Sequence, residues 1–200
     1  MFPLGLVHFP AVPLPLQVFE PRYRRLTEDC LDGAREFGVV LIERGSEVGG
    51  GDVRTDVGTM TSIVEAGFNQ IGLIRLDTMG TRRIRVIRWL DDDPYPRAEV
   101  EDLPALVIGP AEDGARAAVE RKVRRALALT AELGEPTVPY DIGLDDDPAR
   151  RLFQLAAIAP LGPMDKQRLL GTERAAALLS LLDDFVSEQT DVLAARLAGA

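Results

Sequence analysis

A chain of 200 residues, 46% hydrophobic and 28% charged, holds enough material for one large or two small soluble domains, each with a real core. Its net charge of −9 is shared by both halves and leaves no basic footprint for neutralising phosphates, which argues against nucleic acid and anionic membrane as partners. The one cysteine, Cys30, excludes an internal disulfide, and no run approaches the roughly 18 apolar residues that span a bilayer, so the cytoplasm is the expected location.

Pro3, Pro10, Pro13 and Pro15 break the apolar start into two short extended runs. With no basic flank, this start makes a poor signal peptide. A helix is predicted over 22–31, with Tyr23, Leu26 and Cys30 on one face and Gly33 placed to end it. The apolar, β-branched run 37–42 reads as a buried strand, and 57–64 as another. Segments 73–79 and 81–87 read as two strands flanking Gly80. In the second, Ile84 and Val86 alternate with Arg83 and Arg85, as in a half-buried strand. A closing strand is expected over 95–101, with its prolines at the start or on an edge. Short strands separated by turn signals predict a small barrel or folded sheet over 1–103.

Pro104 and Gly109-Pro110 then punctuate the chain, so 104–112 reads as a linker and 113–200 as a helical subdomain. Val119, Val123, Leu127 and Ala131 recur at helical spacing up to Gly134, and Glu120 can pair with Arg124. Asp147-Pro148 is an N-cap followed by proline at the first helical position. That helix shows Leu152, Leu155, Ala156 and Ala159 on one face and stops at Pro160. A short helix is expected around 165–170. A last one, with Thr172 as a candidate cap, carries Leu178, Leu181, Leu182 and Phe185. The fold class is therefore α+β: a β-rich part with one helix, followed by a helical bundle.

Chemistry-bearing residues are few. There is one histidine, His8, set in an apolar strand-like run, with two lysines and four serines, so catalytic, metal and cofactor residues are all expected to be none. Gly45 and Gly50 have the spacing of a phosphate loop, but Gly51 and Asp52 stand where lysine and serine or threonine are needed. A hairpin loop is the better reading. The acidic triplets 91–93 and 145–147 lack the alternating spacing of a calcium loop and read as solvated turns. Arg82, Arg83, Arg85 and Arg88 would serve an RNA-binding barrel, the alternative function. Acidic neighbours favour a charged outer strand face instead.

The opening residues Phe2-Pro3-Leu4, Val7, Phe9-Pro10, Leu14-Pro15-Leu16, Phe19-Glu20 and Arg22-Tyr23-Arg24 resemble the start of the Lon protease amino-terminal domain. The resemblance continues in order through Phe37 to Leu41, Gly58-Thr59 to Ile63, and Gly80 with Arg83 to Val86. It extends to Pro94-Tyr95 with Ala98-Glu99-Val100, then to Ala159-Pro160-Leu161-Gly162 and Lys166 to Leu170. Ile84 replaces the family's usual phenylalanine, and 69–72 only loosely represents its Asp-Gly turn. The resemblance implies a PUA-like barrel or folded sheet and a non-catalytic, substrate-binding role. The chain has no room for the ATPase and Ser-Lys protease domains of a complete Lon, so it looks like a stand-alone module.

The expected function is therefore binding of unfolded or degron-bearing proteins, as an adaptor or regulator of a protease. A homo-oligomer is compatible with the sequence. Phe68 and Met79, apolar and near predicted hairpin ends, are the candidate protein-binding residues. Phe19, Glu20, Arg22 and Tyr23 are expected to be structural, with Glu20 favouring the helix dipole and Tyr23 packing.

Overall fold

The computed structural model describes residues 1–47, 51–68 and 73–199. The chain divides into two compact units, Met1–Ala105 and Leu106–Ala200. Together they form a mixed α+β fold with a six-stranded sheet and five α-helices among the described residues.

The first unit contains β1 (Phe2–Leu4), β2 (Pro13–Val18), α1 (Pro21–Asp32), β3 (Glu36–Arg44), β4 (Val53–Phe68), β5 (Ile74–Leu90) and β6 (Arg97–Asp102). The strand order is β1-β3-β4-β5-β2, with β6 also on β5. β1 runs parallel to β3, and every other pairing is antiparallel. β5 pairs with β4 on one edge and shares its other edge between β2 at Ile74–Met79 and β6 at Ile84–Leu90. No strand joins the β1 end to the β2 end among the described residues, so the sheet is open and folded rather than a closed barrel. Register shifts in three of the ladders mark irregularities of the β-bulge kind, which bend long strands.

Gly80 does not separate two strands, because β5 runs straight through it. A Cβ there would lie 2.2 Å from the Phe9 carbonyl oxygen, so glycine is needed for a close approach of backbones rather than for a turn. Ala11 N–H donates to the Gly80 carbonyl and Gly80 N–H to the Val12 carbonyl, continuing the β2–β5 ladder past Pro13. The core under the sheet gathers Phe2, Leu14, Val18, Leu26, Phe37 and Leu76. Helix α1 starts on Pro21, as proline at the first position favours, and buries Tyr23, Leu26 and Thr27. The ring of Tyr23 stacks on Phe2 at 4.2 Å between centroids, which pins α1 to β1.

The second unit contains a single turn of 3₁₀ helix (Pro110–Glu112), then α2 (Asp113–Glu132), α3 (Pro148–Ile158), α4 (Pro163–Leu170) and α5 (Ala175–Ala198). In α2 the buried positions are Val119, Val123, Ala126, Leu127 and Thr130. Ala131 faces solvent, and Thr130 takes the inward place, its hydroxyl donating to the Ala126 carbonyl at 2.8 Å. The Asp147 carboxylate accepts from Ala149 N–H at 3.0 Å and Arg150 N–H at 2.9 Å, a direct N-cap on α3. Thr172 does not cap α5. Its hydroxyl donates to the Leu169 carbonyl at the end of α4, and α5 begins after Arg174.

Candidate functional site

The signature residues at the start of α1 form a clamp. Glu20 accepts from Arg22 Nε at 3.1 Å, and Arg22 Nη2 donates to the Glu47 carbonyl at 3.1 Å. The same guanidinium lies 4.5 Å from the centre of the Tyr23 ring. The Glu47 carboxylate in turn accepts from Gly5 N–H at 2.5 Å. Burial pushes the Tyr23 hydroxyl up to about 12, so it stays neutral. Glu20, Arg22 and Tyr23 thus tie the start of α1 to Glu47, beyond the end of β3, and to residues just past β1. Phe19 stands apart: 54% of it is exposed, so it does not pack as a structural apolar residue would.

Phe68 and Met79 are not brought together. Phe68 is 78% exposed and pairs with Ile74, whereas Met79 is half-buried and pairs with Ser62 and Pro13. Ile74 and Met79 are five residues apart on an unbroken ladder, so the two candidates point to opposite faces of the sheet. Met79 is covered by a neighbouring strand on each side, which is why its place near Gly80 misleads. At the far end of the sheet, Ile74 has Val18 on one flank and Phe68 on the other, so Phe19 and Phe68 crown the same end. A shallow cleft there is lined by Glu65, Gly67, Phe68, Arg75 and Asp77. Arg75 is hydrogen-bonded to Asp77. The strand predicted over 57–64 extends at both ends, to Val53 and Phe68. Continued alternation through Ala66 and Phe68 was the available signal, masked by Gly67 as an apparent breaker.

The arginines of β5 are committed within the fold. Arg82 donates to Glu36 at 2.8 Å and Asp102 at 2.9 Å, and the Arg82 hydrogen bond holds the Glu36 carboxyl below its usual range. Arg85 faces Glu101 at 3.6 Å, and Arg88 donates to Glu99 at 2.5 Å. Arg83 is buried rather than outward-facing, and donates to the Pro104 carbonyl at 2.8 Å. Asp52 is also committed: Arg54 Nε donates to it at 2.6 Å while Arg54 Nη2 reaches Asp92 at 2.9 Å. Asp52 lies between antiparallel β3 and β4; residues 48–50 of the expected hairpin loop, and 69–72, where the family's Asp-Gly turn is expected, lie outside the described residues.

His8 lies beyond the end of β1 and is not part of a strand. It is 3% exposed, and its Nε2 has no hydrogen-bond partner among the described residues. Burial pushes its pKa down to about 4, so the ring is neutral. Its carbonyl accepts from the Thr59 hydroxyl at 2.6 Å. No described helix is long and apolar enough to cross a membrane.

The ATP-dependent protease La (LON) substrate-binding domain family matches residues 1–188. The chain belongs to this family. It is 26% identical over 193 residues to the Lon protease of Dictyoglomus thermophilum, and 28% identical over 200 residues to Lon protease 2 of Sorangium cellulosum. Each alignment takes in 94% of this chain but only 24% of the relative. The chain therefore spans about a quarter of the length of these proteases. Two solved structures share the fold. The Lon N-terminal domain protein from Xanthomonas campestris superposes with a TM-score of 0.64 at 24% identity, covering 90% of this chain and 94% of that one. The N-terminal domain of the Mycobacterium avium complex Lon protease gives 0.63 at 16% identity, covering 92% and 96%.

Proposed function

We propose that this chain is a recognition module that binds exposed apolar segments of unfolded or degron-bearing proteins and serves a protease in the cytoplasm as adaptor or regulator. The observation that carries this reading is the family match, which runs along almost the whole chain and is described as a substrate-binding domain. The exposed aromatics Phe68 and Phe19 at one end of the sheet support it, since they leave apolar area uncovered where a client side chain is able to bury itself. The arginines of β5 give no support to RNA binding, because each is engaged inside the fold.

The test is equilibrium binding to a permanently unfolded protein, reduced and alkylated, followed by fluorescence anisotropy. Saturable binding is expected, together with slower aggregation of a heat-denatured client. Phe68→Ser should weaken binding about fivefold or more, as loss of an exposed anchor does, while Met79→Ser should change it less. Absence of both binding and protection from aggregation refutes the reading.

A further inference from the structure

We propose that the last five residues of β4, Val64 to Phe68, form a strand-addition edge for an extended client segment in which apolar residues alternate with basic ones. This rests on the client-binding reading above and specifies the segment chosen.

The edge arises from unequal strand lengths. β3 has 9 residues and β4 has 16. The β3–β4 ladder ends at Glu36 opposite Ser62, followed by one further bond from Ile63 N–H to the Arg35 carbonyl. Beyond it, β4 is paired only with β5, through Glu65–Asp77, Ala66–Leu76, Gly67–Arg75 and Phe68–Ile74, among the described residues. A strand directs its N–H and C=O groups alternately to its two sides, so the open side presents unpaired main-chain groups. Such edges are usually blunted by lysine, proline, a β-bulge or a covering element; in this segment the one irregularity falls at Val64, between Ile63 and Glu65, and the four residues beyond it pair regularly with β5. Here Val64 is 65% exposed and Phe68 78%, and a Cβ on Gly67 would meet nothing within 4 Å.

Side-chain alternation sets the chemistry of the occupant. Glu65 and Gly67 share a face with Asp77 and Arg75, while Ala66 and Phe68 share the other with Leu76 and Ile74. An added strand must follow this pattern. Its residues beside Ala66 and Phe68 meet apolar surface. Those beside Glu65 and Gly67 meet two carboxylates and one guanidinium. Arg75 is hydrogen-bonded to Asp77, and Glu65 acts on the same guanidinium through space, with no ion pair of its own among the described residues. The face is left with one negative charge in excess, which a lysine or arginine satisfies. A second copy of the chain fits less well. Five strand residues run for only about 17 Å, far too little to bury the roughly 1,200 Å² of a stable dimer.

The test uses the full chain and three labelled nonapeptides: alternating valine and lysine, alternating valine and glutamate, and the valine–lysine peptide N-methylated at every second residue on the edge-facing side. At low salt the valine–lysine peptide should bind about fivefold or more tightly than the glutamate peptide, and N-methylation should abolish binding. Glu65→Lys, an exposed change, should reverse the charge preference. Equal binding of the N-methylated peptide overturns strand addition, and an unchanged preference in Glu65→Lys overturns the charge assignment. Dimerisation that the peptide dissolves would assign the edge to a second copy and overturn the client assignment. The unfolded protein is titrated in parallel. If it binds while the peptides do not, the edge proposal fails alone. If neither binds, the client-binding reading fails with it.

Discussion

At the scale of single residues, burial without a partner makes His8 acid-sensitive. Its pKa is about 4 in the fold against 6.5 when unfolded, so the folded state favours the neutral ring. The associated stability is present in full above pH 6.5 and is lost as pH falls toward 4. The upper bound is roughly 3 kcal/mol. The buried Met1 amine, lowered to about 5, loses its contribution over a higher window, from pH 8 down to 5, and does so equally with or without His8. His8→Leu should therefore flatten the fall of urea midpoints between pH 6.5 and 4.5 relative to the parent; parallel slopes would show that the imidazole is not the sensor. Lys166 makes a second residue-level case. Its ammonium, held below its ordinary pKa by burial, donates to the Ala157 carbonyl at 2.6 Å and so closes the end of α3. The sequence displayed Lys166 only as part of a family pattern, because its partner lies nine positions away on another helix. Lys166→Met keeps the stem and loses the bond, and should cost about 1–2 kcal/mol in chemical denaturation.

At the scale of elements, what was legible followed from local chemistry. The Asp147-Pro148 pair predicts the start of α3, and the hydroxyl-poor apolar run 37–42 predicts the centre of β3. What was illegible depended on distant partners. Gly80 is a local turn signal, yet the neighbour that demands glycine is the Phe9 carbonyl, seventy-one positions earlier. Arg83 occupies a place in the alternation that reads as outward, yet it is buried, and one of its partners, the Pro104 carbonyl, lies twenty-one positions on. The open last five residues of β4 depend on where β3 stops, so no pattern within 64–68 reveals them. Phe68, by contrast, was legible as an apolar residue at a hairpin end. Gly80→Ala tests the reading of β5. The added methyl meets backbone rather than a flexible side chain, so the ladder between residues 11–12 and Gly80 must shift. A loss of about 3 kcal/mol, at the upper end for overpacking, is expected in thermal or urea unfolding. A nearly neutral result would mean that the segment around Phe9 yields easily.

At the scale of the whole molecule, charge decides between partners more firmly than shape does. An open sheet with an arginine-rich strand is a shape that nucleic acid is able to use, and the sequence alone left that alternative standing. Affinity for phosphate chains grows with the number of free cations that release counterions. In this chain the net charge is −9, and Arg82, Arg85 and Arg88 face Glu36 and Asp102, Glu101, and Glu99 in turn. Engaging a phosphate would mean breaking these contacts and approaching an acidic surface. The same field would attract the basic client segment proposed above, so the two classes of ligand should respond oppositely. Single-stranded RNA of about 20 nucleotides should show no mobility shift or anisotropy change even near 25 mM salt, where electrostatic binding is strongest. The valine–lysine peptide should bind best under the same conditions and weaken as salt rises toward 0.3 M, because only one excess carboxylate and the wider negative field favour it. A salt-sensitive RNA complex would require the β5 arginines to leave their carboxylates, and neutralising Glu99 and Glu101 to glutamine would then strengthen it.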